Sequence, residues 1–400
     1  MNDFLLLIAG AVLGVIIDRA TRFFAAVTAQ RRRDLRALRA QRGSNAQRVS
    51  EWLVAYYGKN GTYGCEISGR RALIPFFFHP DWGFVEEFDP ATQRVTADNA
   101  APPDPFAIDL SRIAMRQDQG QRIFDNATFY AANIETTDAF THVNVRPTSY
   151  FSVASNLIGL EEEVFRAVLK PGVRTPLRDR YLPNLSAAAQ LTLKPLSFGV
   201  NVGFVLVGSE HRQILIQTRS RSTVTYGGAK ALFPSFGLAP IGRELMNGGD
   251  LIYLNFVKEY LEEFYDYEDL IDALSDRRAD PLWFMELPEA AELDAAYHSG
   301  TLRIVLLGFG MDCLSGTTTI SVLVELRDET LGRQIARRIV GNWEVAESTL
   351  ASPGLELVEL YSPGLGQLLE QGAMHTGSAF TLARIQDFYN ETEHGQVTSE

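Results

Sequence analysis

Residues 250–266 read DLIYLNFVKEYLEEFYD and predict one amphipathic α-helix. Apolar residues recur at spacings of three and four and therefore share one helical face; they are Leu254, Val257, Leu261 and Phe264. Four acidic residues at i, i+3, i+4 and i+7 share a second stripe; they are Glu259, Glu262, Glu263 and Asp266. Several carboxylate oxygens can therefore converge on one point.

Carboxylates that lie so close repel one another. A hard cation such as Mg²⁺ relieves the repulsion, because it prefers oxygen ligands and can bridge to phosphates. The alternative is a solvated acidic face with no bound ion. The sequence before the helix favours the site, since it predicts a strand hairpin at 202–207 and 213–217, followed by a glycine-containing loop over 218–240.

This segment resembles the Nudix family, whose signature is G-x5-E-x7-R-E-U-x-E-E-x-G-U with U a bulky apolar residue. Residues 258–266 (KEYLEEFYD) match its second half. The resemblance implies metal binding by Glu259, Glu262 and Glu263, with Glu262 and Glu263 catalytic if the chain is a hydrolase. It also implies an α/β fold, a Nudix-like α/β/α sandwich with a mixed sheet, over residues 191–390.

Several positions depart from the signature. Lys258 stands in place of the arginine and cannot clamp a carboxylate with two parallel bonds. Tyr265 and Asp266 replace the second glycine and an apolar residue, while Asp250 falls at the upstream glutamate. The acidic positions are therefore kept and the structural frame is not, which leaves hydrolysis an open question.

Two arginines, Arg219 and Arg221, follow the second predicted strand and enter the glycine loop. In a Nudix-like arrangement they could bind the phosphates of a nucleotide through charge-assisted hydrogen bonds. The alternative is a pair of ordinary surface arginines.

The N-terminus predicts a membrane segment. Residues 4–17 read FLLLIAGAVLGVII, and apolar character resumes at 20–27 after Asp18 and Arg19. The first run alone spans about 21 Å, short of the ~30 Å hydrocarbon core, but both runs together cover it. Residues 1–28 are thus expected to form a single transmembrane helix; a signal peptide and a buried or interfacial helix are the alternatives. Gly10 and Gly14 form a G-x-x-x-G pair that allows close helix packing.

Charge is divided unevenly along the chain. The first 50 residues hold nine arginines and three aspartates, a net charge of +6. The total net charge is −12, so the other 350 residues carry a net charge of −18. Arginines directly after the apolar run place the C-terminal body in the cytoplasm, on the inner membrane, with a basic juxtamembrane helix over 29–60 near lipid headgroups. The acidic body argues against DNA as a partner.

The middle of the chain is less informative. Residues 61–190 are assigned to an N-terminal extension, in which 73–78 (LIPFFF) predicts a buried strand and 155–170 predicts a helix ended by Pro171. Within that helix, the run Glu161–Glu163 is expected to be an exposed face. Residues 391–400 are expected to form a flexible tail. Two cysteines cannot make a disulfide framework.

A short membrane helix joined to a divergent Nudix domain resembles the transmembrane–Nudix effectors of cyclic-oligonucleotide antiphage (CBASS) systems. The resemblance implies a cytosolic domain that senses a cyclic nucleotide, self-associates as a homo-oligomer and disrupts the inner membrane. Two other functions stay open, a membrane-tethered Mg²⁺-dependent Nudix hydrolase and a structural membrane protein with an inert Nudix-like fold.

Overall fold

The computed structural model describes residues 42–89, 94–98, 108–137, 141–184, 186, 196–209, 211–242, 251–267, 280–341, 345–346 and 354–397. Contacts divide the chain into a unit of residues 1–45 and a second unit of residues 46–400. The predicted membrane helix, with Gly10 and Gly14, lies outside the described residues. No helix within the described ranges has both the length and the apolar character needed to cross a bilayer.

A mixed sheet of nine strands forms the centre of the second unit, as far as its described residues go. Its strands are β3 (Phe76–Phe77), β4 (Glu86–Glu87), β8 (Phe198–Val207), β9 (Arg212–Thr218), β10 (Lys230–Leu232), β11 (Ser235–Gly237), β12 (Leu302–Asp312), β13 (Thr318–Leu326) and β14 (Leu355–Glu359). The order β10-β9-β8-β13-β12-β3 carries the sheet from edge to edge. Strands β8 and β13 run parallel, whereas β12 and β13 are antiparallel.

Two smaller sheets accompany it. Strands β1 (Tyr63–Ile67) and β2 (Arg70–Ile74) form a hairpin, and β5 (Val95–Ala97), β6 (Ala127–Thr136) and β7 (Thr141–Ser149) form a three-stranded sheet. The helices are α1 (Arg42–Tyr57), α2 (Leu110–Gln117), α3 (Tyr150–Leu169), α4 (Pro176–Tyr181), α5 (Leu251–Tyr265), α6 (Pro288–His298), α7 (Glu329–Arg338), α8 (Pro363–Glu370) and α9 (Thr376–Val397).

Helices cover both faces of the large sheet. On one face, the Phe204 ring of β8 lies 5.4 Å from the Phe264 ring of α5. Because side chains alternate along a strand, the neighbouring Gly203 faces the other side, where a Cβ added to it would lie 2.1 Å from Ile385 of α9. Glycine therefore lets α9 approach the sheet closely, and the α/β class with a mixed sheet is confirmed.

Several sequence predictions are confirmed in place. The hairpin at 202–217 is β8 and β9, and the acidic stretch is α5. The predicted strand at 73–78 is divided, since β2 ends at Ile74 and β3 begins at Phe76. Pro75 lies between them and has no N–H for a strand ladder.

The predicted boundary between residues 190 and 191 remains a prediction. Strands β3 and β4, which precede that boundary, pair with β12 in the large sheet. At the other end, α9 runs to Val397, through most of the segment expected to be a tail.

Candidate functional site

The acidic residues of α5 surround a lysine. The Lys258 ammonium donates to a Glu262 carboxylate oxygen at 3.0 Å, and a Glu259 carboxylate oxygen lies 3.9 Å from the same nitrogen. All three side chains are less than one-sixth exposed. The departure at Lys258 therefore places a cation of the protein itself between two of the predicted metal ligands.

The third predicted ligand is more deeply placed. Glu263 is 2% exposed. Among the described residues, no group of three or more His, Cys, Asp or Glu side chains has a geometry that could hold a metal ion. A metal-dependent step does not follow from this arrangement, and the assignment of Glu259, Glu262 and Glu263 to Mg²⁺ remains a prediction.

A second polar centre, the Asp312 cluster, lies at the end of β12; it consists of Tyr226, Asp312, Ser315, His375 and Thr376. The Tyr226 hydroxyl is 2.8 Å from both carboxylate oxygens of Asp312. The hydroxyls of Thr376 and Ser315 donate to the same carboxylate, each at 2.5 Å. The backbone N–H groups of Leu314 and Ser315 complete its shell.

Asp312 is 1% exposed, so its charge is removed from water. A buried carboxylate is tolerated when donors satisfy its oxygens. The hydroxyls of Tyr226, Thr376 and Ser315 and the N–H groups of Leu314 and Ser315 satisfy the oxygens of Asp312 in this way. The neighbouring Tyr226 is affected by this buried charge. Burial and the negative charge of Asp312 raise the pKa of the Tyr226 phenol well above the ordinary value. Tyr226 is therefore a fixed hydrogen-bond donor at neutral pH.

His375 precedes α9 and contacts Tyr226, with the ring centroids 4.3 Å apart and the ring planes at 65° to each other. Its pKa is lowered to about 4, first by burial and then by the positive charge of Arg219, while Asp312 opposes the shift. The imidazole is thus neutral at pH 7. Its Nδ1 accepts from the Ser378 N–H at 3.2 Å, which leaves the ring proton on Nε2 as a donor.

The loop between β9 and β10 carries the predicted phosphate-binding arginines. Arg219 is half-buried and acts electrostatically on His375, whereas Arg221 is exposed. Tyr226 has a positive φ of 54°, an uncommon conformation for a bulky residue. Its hydroxyl is held by Asp312 while its backbone N–H approaches Glu161 at 3.4 Å. The loop is therefore fastened at both its backbone and its side chain.

The residues behind this loop overturn one expectation. Glu161, Glu162 and Glu163 are not an exposed face; all three are at most 6% exposed. The guanidinium of Arg116 on α2 donates to Glu161 at 2.9 Å, and Arg166 donates to Glu162 at 2.9 Å. Partners from outside the run stabilise these charges in the interior. Arg166 follows Glu162 by one helical turn in the sequence, but no sequence pattern indicates Arg116.

The structure thus groups the predicted residues in two places. Glu259 and Glu262 meet at Lys258, and Arg219 acts electrostatically on His375 of the Asp312 cluster. Asp312, His375 and Arg178 were missed by sequence reasoning. One signal existed for Asp312: it ends a strand and is followed by Cys-Leu-Ser-Gly, a setting in which an aspartate side chain commonly caps a turn.

Two open clefts lie elsewhere in the described part of the chain. One, of about 530 Å³, is lined by Arg212, His211, Glu359 and the start of α8. The other, of about 510 Å³, lies between α6 and β12 beside Arg303. Neither includes a residue of α5 or of the Asp312 cluster.

The sequence matches no family model. It also matches no curated protein. Among solved structures, it is similar to a Nudix hydrolase from M. smegmatis, RenU, at 13% identity over 48% of this chain and 86% of that one, with a TM-score of 0.20. A similarity at that score carries no argument about the activity of this chain.

Proposed function

We propose that this chain is a membrane-anchored effector whose Nudix-like body binds a cyclic nucleotide signal without cleaving it. Binding favours self-association of the bodies, and the N-terminal helices then disrupt the inner membrane. A ligand drives such a change only through higher affinity for the assembled state. The antiphage setting comes from the resemblance in architecture described above.

One observation carries the binding role. Arg219 acts electrostatically on His375 and belongs to the same loop as Tyr226, and these two uncharged rings contact each other and keep partial solvent exposure. A guanidinium suits a phosphate, and an aromatic ring suits the face of a base. The combination matches the two chemically different halves of a nucleotide.

A second observation favours binding over cleavage. The ammonium of Lys258 already partly neutralises Glu259 and Glu262, where a hydrolase of this type would need carboxylates directed at an ion. This supports the sensor and leaves the hydrolase as the outcome that would replace it.

The test uses the full-length chain in lipid nanodiscs with Mg²⁺. Cyclic di- and trinucleotides, nucleoside triphosphates and nucleoside diphosphate-linked compounds are added one at a time. Calorimetry reports binding and chromatography reports turnover. We expect a cyclic nucleotide to bind and to be recovered intact, and Arg219→Gln to weaken its binding about tenfold, the effect of losing roughly 1.4 kcal/mol.

Arg333→Gln is the matched control, because Arg333 is an exposed arginine on α7 that bonds to a backbone carbonyl of its own helix. It should leave affinity unchanged. Turnover of a linear diphosphate compound, with no response to cyclic ligands, would replace the sensor with a tethered hydrolase. Absence of binding to every compound would also overturn the proposal.

A further inference from the structure

Arg178 on α4 is a fully buried guanidinium, with no exposed surface. It donates to the carbonyl oxygens of Cys313, Leu314 and Leu160, the last two at 2.8 and 3.2 Å. It also donates to the Tyr57 hydroxyl at 2.6 Å. These bonds of the guanidinium go to three backbone carbonyls and one phenol hydroxyl. The charge of Arg178 is therefore stabilised chiefly by the dipoles of backbone carbonyl groups.

The carbonyls of Cys313 and Leu314 belong to the turn after β12, and Asp312 holds the other side of that turn. The Asp312 carboxylate accepts the N–H groups of Leu314 at 2.9 Å and Ser315 at 3.1 Å. The same carboxylate holds the Tyr226 hydroxyl of the arginine-bearing loop. The loop and Arg178 are thus bonded to opposite sides of one short turn.

Tyr57 is the last residue of α1, the helix that follows the predicted membrane segment in sequence. Its ring packs edge-on against Phe77 of β3, with centroids 4.8 Å apart. Its hydroxyl bonds to Arg178. A continuous series of hydrogen bonds therefore joins Tyr226, Asp312, the 313–315 turn, Arg178 and Tyr57.

A parallel connection runs through α3. Glu161 approaches the Tyr226 N–H at 3.4 Å, and the preceding residue, Leu160, supplies one of the carbonyls that Arg178 holds. Both connections converge on Arg178. A charged group buried this completely loses much stabilisation if a partner moves away, so Arg178 must move with the turn.

We propose that Arg178 relays the position of the loop bearing Arg219 to α1, and so couples the candidate ligand site to the helix that follows the predicted membrane segment in sequence. This is a mode of regulation of the proposed site and rests on the proposed function for its biological role. Its physical content is a coupling free energy between Tyr226 and Tyr57. Adjacency alone does not establish coupling, and a double-mutant cycle measures it.

The experiment follows amide hydrogen exchange in the full-length chain in detergent micelles, without ligand. Tyr226→Phe removes only the hydroxyl that bonds to Asp312. We expect amides of residues 46–57 to exchange about fivefold faster, equal to the net loss of about one hydrogen bond. The variant Tyr57→Phe lacks the hydrogen bond between Arg178 and Tyr57. In that variant, the additional change Tyr226→Phe should not accelerate exchange at residues 46–57 any further.

Two matched variants serve as controls. Tyr253→Phe removes a hydroxyl bonded to Asp294 at 2.8 Å on the opposite side of the sheet, and should leave 46–57 unchanged. Tyr56→Phe removes a hydroxyl of α1 that bonds to Asp179 at 2.7 Å, and should leave the effect of Tyr226→Phe intact.

The proposal is overturned if Tyr226→Phe accelerates exchange only near residues 219–229 and 312–316. It is equally overturned if the acceleration at 46–57 persists in the Tyr57→Phe background, or if the central strand β13 accelerates to the same extent, which would indicate a global loss of stability. Because no ligand is added, failure of nucleotide binding would leave this result standing, and the two proposals can fail separately.

Discussion

The surroundings of His375 determine the charge of its imidazole ring. Burial and then Arg219 lower its pKa to about 4, while the unfolded chain has the ordinary value near 6.5. Between these two pH values the unfolded chain binds a proton that the folded chain excludes. The contribution of neutral His375 to the free energy of unfolding is therefore fully present above pH 6.5 and is lost as pH falls towards 4.

We expect His375→Gln to make the unfolding free energy less dependent on pH in this window. One excluded proton corresponds to a slope of at most about 1.4 kcal/mol per pH unit. Urea denaturation at several pH values between 4 and 7 measures the slope. His142→Gln is a useful comparison, because the pKa of His142 is also lowered by burial and this ring lies on β7. An unchanged slope in His375→Gln would show that the folded protein protonates His375 normally.

Buried charges at the residue scale also mark where sequence reasoning fails. The run Glu161–Glu163 has the composition of a solvated face, yet Arg116, 45 positions away from Glu161, makes it interior. No periodicity in a single segment encodes a partner so distant in the chain. Such a pair is weak evidence for stability, since desolvation offsets much of the attraction, although removing one partner alone is strongly destabilising.

At the scale of elements, the sequence predicted best where one pattern dominated. Strands β8 and β9 contain runs of apolar residues, and α5 has an unbroken helical face; all three form where expected. The stretch at 73–78 failed as one strand because Pro75 interrupts its ladder. The Asp312 cluster combines residues from three separate regions, and only its turn had a local signal.

Strand β12 contains an irregularity with a specific cause. Its register with β13 shifts between Leu306 and Phe309, and Gly308 there has a φ of 112°. A Cβ at Gly308 would lie 2.7 Å from the Trp82 carbonyl oxygen, which is backbone and cannot move aside easily. The glycine thus allows the segment after β3 to cross directly over the bulge.

We expect Gly308→Ala to destabilise the protein by at least about 2 kcal/mol, from backbone strain and the clash with Trp82 together. Chemical denaturation measures the change. Gly64→Ala is the control, because a Cβ there would meet only Leu73 at 3.8 Å, an ordinary contact distance. Equal stabilities of the two variants would mean that β12 straightens at no cost, and that the bulge is not fixed by this approach.

At the scale of the whole molecule, the proposed effector has to convert an event in the body into an event in the membrane. The arginines at 31–33, 36, 39 and 42 follow the apolar segment and suit the cytoplasmic headgroup region. Helix α1 follows this basic stretch in sequence, and its last residue, Tyr57, bonds to Arg178 of the body. If bodies assemble, the N-terminal helices are brought to high local concentration without any new contact between them.

Whether those helices then pack tightly depends on their small residues. Gly10 and Gly14 are four residues apart, about one turn of the predicted helix. They would allow two such helices to pack closely, which matters because lipid supplies no hydrophobic force between helices. Val12 and Ile16 have the same spacing on nearly the opposite face. Replacing each pair by leucine therefore separates a loss of close packing from a general increase in side-chain volume.

We expect Gly10→Leu with Gly14→Leu to lower energy transfer between full-length chains that carry donor or acceptor fluorophores at their C-termini in liposomes, and to reduce dye leakage from the same liposomes in parallel. Val12→Leu with Ile16→Leu should leave both signals near those of the unchanged chain. If both pairs lower the signals alike, the glycine face does not mediate association. If association falls while leakage persists, single helices perturb the bilayer, and the effector would need assembly only to concentrate them.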